Sequence, residues 1–196
     1  VSPEAVAAWR QTGLGHDAGP VPQRPQERQA WMRFKSQTLT RFTLDLRQAV
    51  QAIRGPQVKT ARNLFALPIL EPQSEAWFAQ NLDDFLAAYD WTVPMAMPLM
   101  ESVPIDASQA WLTRLVQAVA SHPGALKKTI FELQARDWNR RQQNAIPDQQ
   151  LADWMRLLRL NGVKNYGYYP DDFINNQPDI SRIRPQFSSW WYPDHD

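Results

Sequence analysis

Six side chains in this sequence combine the acidity and flatness that sugar chemistry needs: Glu101, Glu132, Trp138, Tyr168, Tyr169 and Asp171. Carboxyl groups flanking a glycosidic bond can supply the acid and the base or nucleophile that cleave it, and flat rings stack on sugar faces. The richest cluster closes the stretch Asn161 to Asp171, N-G-V-K-N-Y-G-Y-Y-P-D. Asn161 and Gly162 suit a helix end, because glycine reaches the left-handed C-cap conformation without a Cβ clash. Val163 to Tyr168 then read as a short buried strand, which Pro170 stops because it has no N–H to donate. Tyr168, Tyr169, Asp171 and Asp172 therefore stand at a strand exit, where α/β proteins hold ligands.

The other candidates fall at equivalent places. Trp77 and Trp138 lie in polar loops after strands and read as stacking platforms. Tyr168 and Tyr169 alternate across the strand, so one faces a groove and the other a wall; Tyr169, next to the turn, suits the groove. Glu101, polar within M-P-L-M, reads equally as groove or solvent. Glu132 sits between Phe131 and Leu133, and an unpaired buried charge there would be costly, so it must point into an opening or be paired. Asp171 could simply hold the turn, and Asp172 reads as solvated. Trp111 and Trp154 share helix stripes with Leu and Met, and Trp91 lies mid-strand; all three are expected in the core. His16, His122 and His195 show no metal-ligand spacing. Lys127-Lys128 and Arg140-Arg141 read as solvated charge pairs.

The elements that must position these residues recur in order. Residues 1–26 read as a linker, with a helical turn or two over Glu4 to Arg10 and an exposed loop over Gly13 to Pro25. Gln26 to Ile53 is a long helical pattern whose Trp31, Phe34, Leu39, Phe42, Leu46, Val50 and Ile53 recur at helical spacing, closed by Gly55-Pro56. Strands are expected over Gln57 to Asn63, Tyr89 to Met97, Lys128 to Gln134 and Val163 to Tyr168. Between them lie loop and helix over Glu71 to Leu86, a helix Ser108 to Ser121 capped by Ser108, and a helix Gln149 to Leu160 capped by Asp148. Strand starts recur at roughly 35 residues, the spacing of βα units in a parallel sheet. The fold class is thus α/β, and four βα units over residues 27–196 are the C-terminal half of a (β/α) TIM-like barrel.

Composition narrows the function classes. The 196 residues are 43% hydrophobic and 21% charged, with a net charge of +1, which gives no global field for nucleic acid or an anionic membrane. The absence of cysteine removes thiol catalysis and zinc–thiolate sites. No phosphate-cradling glycine motif follows any strand, so neither a nucleotide nor another cofactor is expected. No run approaches transmembrane length and the first residues are not a signal peptide. Nine Trp exceed what the core needs and point to a flat ligand, sugars first.

Five runs carry a resemblance: K-T-A-R-N-L-F-A-L-P at 59–68, S-E-A-W-F-A-Q-N at 74–81, Y-D-W-T-V-P-M-A-M-P at 89–98, E-L-Q-A-R-D-W at 132–138 and N-G-V-K-N-Y-G-Y-Y-P-D at 161–171. From Trp31 onward the chain resembles the C-terminal glycoside hydrolase domain of the poly-beta-1,6-N-acetyl-D-glucosamine N-deacetylase family. The resemblance implies a periplasmic, outer-membrane-associated protein of biofilm polysaccharide export. It implies an open groove that binds partially de-N-acetylated poly-N-acetylglucosamine and cleaves it endo-fashion. Its substrate-binding residues here would be Trp77, Glu101, Glu132, Trp138, Tyr168, Tyr169 and Asp171. The family's acidic motif lies just before this chain begins, so the catalytic acid is expected upstream, and the metal-dependent deacetylase domain is absent. Implied partners are the missing N-terminal half of the same protein and an outer-membrane export porin. Half a barrel leaves an open sheet edge, so the chain is expected to need that half to fold well. A non-catalytic carbohydrate-binding module guiding the polymer to export is the other reading.

Overall fold

The computed structural model describes residues 3–11, 24–139 and 144–187. A short helix, α1 (Pro3–Gln11), precedes a 30-residue helix, α2 (Pro25–Arg54), which opens with proline at its first position and closes at Gly55 with φ 95°. Four strands follow: β1 (Ala61–Leu64), β2 (Trp91–Ala96), β3 (Phe131–Gln134) and β4 (Tyr166–Tyr169). They form one parallel sheet in chain order, the arrangement that βα units produce. Three short helices, α3 (Ala66–Leu70), α4 (Glu75–Phe78) and α5 (Leu82–Ala88), connect β1 to β2. The later crossovers are single helices, α6 (Ile105–Ala120) and α7 (Asp148–Leu160), and α8 (Ile180–Ile183) follows β4.

The strands start later than their apolar runs predict. Before β1, the Thr60 N–H and hydroxyl donate to the Asp90 carboxylate at 2.9 and 3.0 Å, while Lys59 and Arg47 stand 3.3 and 3.8 Å from it. Val163 is buried, yet its N–H donates to Leu158 O and finishes the helix end rather than joining the ladder. The expected strand residues are thus present, but some satisfy their backbone through side chains and helix termini.

The core lies between the sheet and the layer of α3, α5, α6 and α7. Phe131 and Leu133 of β3 meet Leu112, Leu115, Leu151, Met155 and Leu158 there. Trp111 and Trp154 are buried among them as expected, whereas Trp91 is only half-buried at the start of β2. Two expected caps take other roles. Pro104 precedes α6, and Ser108 lies fully buried inside that helix, donating to Ile105 O at 2.6 Å. Pro147 precedes α7, and Asp148 accepts from Asp179 N at 3.1 Å, tying α7 to α8.

On α2 only Trp31 of the apolar stripe is buried; Leu39, Phe42, Leu46, Val50 and Ile53 are exposed. The stripe runs beside β1, which pairs with β2 alone among the described residues. The expected loop over Gly13 to Pro25 lies mostly outside the described residues, as do His16, His195, Arg140 and Arg141.

Candidate functional site

Strand alternation decides which residues share a face. In a parallel ladder paired residues point the same way, and successive residues point oppositely. Asn63 pairs with Val93, Met95 with Glu132, Glu132 with Gly167, and Gln134 with Tyr169. One sheet face therefore carries Asn63, Val93, Met95, Glu132, Gln134 and Tyr169, opposite the buried Phe131 and Leu133. A cleft of about 270 Å³ opens there, lined by Asn63, Met95, Met97, Met100, Glu132, Trp138 and Tyr169. Gly167 keeps this face low beside Glu132: a Cβ built on it meets no atom within 4 Å.

Trp138 and Tyr169 form one wall, with ring centroids 6.1 Å apart and planes inclined by only 24°. The loop bearing Trp138 is fastened at several points. Ala135 N donates to Tyr169 O at 2.8 Å, Asp137 N to Asn144 O at 2.8 Å, and Asn139 N to Asp137 Oδ1 at 3.0 Å. Gln134, fully buried, accepts from Leu99 N at 2.7 Å and donates to Arg136 O at 2.8 Å, so the turn after β2 is tied to the exit of β3.

Glu132 is the cleft's carboxylate. Burial pushes its pKa up, partly opposed by Asn63 Nδ2, which donates to Oε2 at 3.0 Å. This carboxylate between Phe131 and Leu133 faces an opening, and its partner is the neutral Asn63 amide rather than a countercharge. A half-buried carboxylate with a free oxygen beside two rings can accept hydrogen bonds from a sugar hydroxyl or ammonium while its rings hold the sugar face.

The structure brings Glu132, Trp138 and Tyr169 together and sets the other candidates elsewhere. Tyr168 faces the opposite way, paired with Leu133 and packed against the core; its hydroxyl donates to Asp171 Oδ1 at 3.1 Å. Burial, then the Asp171 carboxylate, pushes the Tyr168 pKa up to about 12. Asp171 is exposed at the turn formed with the cis Tyr169–Pro170 bond. Glu101, in the turn after β2, is half-buried and lies outside the cleft lining; burial and the nearby Glu71 charge raise its pKa. Trp77 stands almost fully exposed on α4, also outside that lining. Asp172, expected to be solvated, lies at the surface, where it accepts from Asn175 Nδ2 at 2.8 Å and stands 3.9 Å from Arg136.

Sequence reading missed Asn63 and the three methionines. Asn63 was legible only as a polar strand end; the parallel register is what sets it beside Glu132. Met95 and Met97 looked like buried strand because their alternation faces a cleft rather than water. Among the described residues no helix is long and apolar enough to cross a membrane, and no group of three or more His, Asp or Glu side chains could hold a metal.

Comparison with known proteins bears on the family and the fold. Residues 1–169 match the model of hypothetical glycosyl hydrolase family 13. Two curated relatives, each a poly-beta-1,6-N-acetyl-D-glucosamine N-deacetylase, from Escherichia coli K12 and O157:H7, are 53% identical over all 196 residues. The chain spans 29% of their length. The structure of the PgaB (BpsB) glycoside hydrolase domain from Bordetella bronchiseptica superposes with a TM-score of 0.88 at 43% identity, over 95% of this chain and 52% of that one. The fold is accordingly that of a TIM-like barrel, of which these four parallel βα units are a part. With a family model covering most of its length and a hydrolase-domain fold around the cleft, this chain belongs to hypothetical glycosyl hydrolase family 13.

Proposed function

We propose that this chain supplies one wall of the groove of a glycoside hydrolase that binds and endo-hydrolyses partially de-N-acetylated poly-beta-1,6-N-acetyl-D-glucosamine. The observation that carries the reading is the parallel pair Trp138 and Tyr169 beside Glu132 at the exits of β3 and β4. The rings offer their faces to the apolar face of a sugar, and Met95, Met97 and Met100 supply an adaptable apolar floor. Glu132 accepts from the ammonium of a glucosamine unit, a charge-assisted bond that favours deacetylated residues over acetylated ones. Tyr168 and Asp171 brace β4 from its other face through their hydrogen bond, and Trp77 and Glu101 lie outside the cleft lining.

Glycoside hydrolysis commonly needs two carboxyl groups, one to protonate the leaving oxygen and one to act as base or nucleophile. Glu132 is the one carboxylate among the described residues lining the cleft, so the reading assigns the general acid to the upstream part of the hydrolase domain. It also sets the activity in the periplasm, with that upstream part and an outer-membrane export porin as partners. The lone carboxylate equally favours a second reading, a non-catalytic module that guides the polymer to export.

Incubating partially deacetylated polymer with the complete hydrolase domain, and separately with the 196-residue chain, decides between them. Shortened polymer is expected from the complete domain alone. Binding without shortening by the complete domain would establish the module reading.

A further inference from the structure

Where the sheet opens to form the cleft, a side chain takes over from the backbone ladder. β2 and β3 run together as far as the rung of Ala96 and Leu133, then part. β3 stays with β4 beyond that point: Gln134 pairs with Tyr169, and Ala135 N donates to Tyr169 O at 2.8 Å. The chain leaving β2 instead folds into a turn over residues 98–102, in which Ser102 N donates to Leu99 O at 3.0 Å. The cleft occupies the resulting gap, with Met97 and Met100 on the β2 side and Trp138 and Tyr169 on the other.

Gln134 spans that gap from behind. It is fully buried and does not itself line the cleft. Its Oε1 accepts from Leu99 N at 2.7 Å and from Met100 N at 3.4 Å, and its Nε2 donates to Arg136 O at 2.8 Å. One end of the amide thus holds the backbone that carries Met100, and the other holds the backbone just before Trp138. Donors stand at one end and a carbonyl at the other, so a single orientation of the amide satisfies both. Asn139 completes the hold from the far side of Trp138, its Nδ2 donating to Leu99 O. The N–H and the carbonyl of Leu99 are therefore both taken by residues that flank Trp138.

An apolar residue could fill this place but could not join the two segments. The chain neighbours Leu133 and Ala135 are buried and apolar, and an amide among them is costly unless its ends are paired. Paired as it is, it acts as a strut, and the length of one side chain sets how far the β2 turn stands from the Trp138 loop. That distance matters to a ligand held between them. A gap wider by about 0.5–1 Å already forfeits roughly a quarter to a half of a van der Waals contact.

We propose that Gln134 is the positioning residue of the cleft: by tying the β2 turn to the Trp138 loop it sets the spacing between Met97 and Met100 on one side and the paired rings on the other, and so how tightly a sugar is gripped. The inference rests on the glycan reading above and deepens it, since Gln134 touches no ligand and acts through Met100 and Trp138.

In the complete hydrolase domain, calorimetric titration with a beta-1,6-linked glucosamine trimer reads that grip, with thermal melts run beside it. Gln134→Glu is nearly isosteric: its carboxylate still accepts from Leu99 N but has no N–H for Arg136 O and repels it. Trimer affinity should fall about tenfold against wild type at neutral pH. As the pH falls, the introduced carboxyl, whose pKa burial raises, regains its proton and again donates to Arg136 O. The gap to wild type should then close. Glu132, Arg136 and Asp137 on the same segment, Glu101 in the β2 turn and Tyr169 on β4 are common to both proteins, and comparison at each pH cancels them. Gln134→Met, neutral and of similar length, cuts both ends and should weaken the trimer at least as much at every pH, without recovery in acid. If either variant binds as wild type at neutral pH, however early it melts, Gln134 is structural only; the inference falls and the cleft reading stands. Weak binding by Gln134→Glu that persists in acid would mean lost packing rather than a lost bond, and would also overturn the inference. If wild type itself leaves the trimer unbound, the cleft reading falls, and this inference with it.

Discussion

Trp154 Nε1 donates to Ser108 Oγ at 2.9 Å, a bond between α7 and α6 in which both residues are fully buried. It lets a large indole fill the helix layer without burying an unsatisfied N–H. The Ser108 hydroxyl in turn donates to Ile105 O at 2.6 Å, so the two helices share a short polar chain inside an apolar core.

Ser108→Ala should therefore destabilise the domain by about 1–3 kcal/mol, because the indole donor loses its acceptor. Trp154→Ala should cost about 3–5 kcal/mol through the cavity it opens. Chemical denaturation of each variant measures both, and a Ser108→Ala midpoint equal to wild type would mean the indole finds another partner.

Removing either ring of the cleft wall should act on binding. Each stacking platform contributes about 1–3 kcal/mol, by analogy with aromatic–base stacking. Trp138→Ala or Tyr169→Ala should weaken binding of a partially deacetylated oligosaccharide by roughly ten- to a hundredfold. Tyr169 is more than half exposed, 56%, so Tyr169→Ala should leave the melting temperature nearly unchanged. Calorimetric titration beside thermal melts checks this, and early melting with normal affinity would make the rings structural.

Glu132 should trade stability for binding. Burial raises its folded pKa above the unfolded value. Ionisation is thus harder in the folded chain, and stability falls as pH rises from the unfolded carboxylate range through the folded pKa. Glu132→Gln should remove that decline and leave the domain as stable or slightly more so at neutral pH. The same variant should bind glucosamine-containing oligomers about tenfold more weakly, having lost a charged acceptor. Urea denaturation across pH, with titrations at neutral pH, reads both effects.

Asp90 should behave in the opposite sense. The Thr60 N–H bond, with help from the Thr60 hydroxyl and Lys59, holds its carboxyl down at about 2. Its contribution is complete above the unfolded aspartate value of about 4 and is lost as pH falls through the folded one. Asp90→Ala should cost about 1–2 kcal/mol at neutral pH, since it leaves the Thr60 donors unmet. That difference should shrink as the pH is lowered toward 2; a gap that persists in acid would show that the loss is one of packing.

The repeat of apolar runs and polar exits determined the succession of βα units, because a strand buried on both faces must be apolar and its exit must turn in solvent. The helix α7 stripe and the glycine stop after α2 were legible for the same local reasons. Register was not. A one-residue slip would turn every side chain of a strand over, and no local pattern prevents it in runs this short. The pairing of Met95 and Gly167 with Glu132 is what brings Asn63, the methionines, Trp138 and Tyr169 around one carboxylate. The same pairing turned Tyr168 to the wall, where its hydroxyl meets Asp171. Ser108 and Asp148 looked like helix caps because their type suits that place, and became ties between helices because Pro104 and Pro147 take the capping positions. Residue types set the chemistry available to this chain. Long-range pairing, which depends on the whole sheet, decided which of those residues meet.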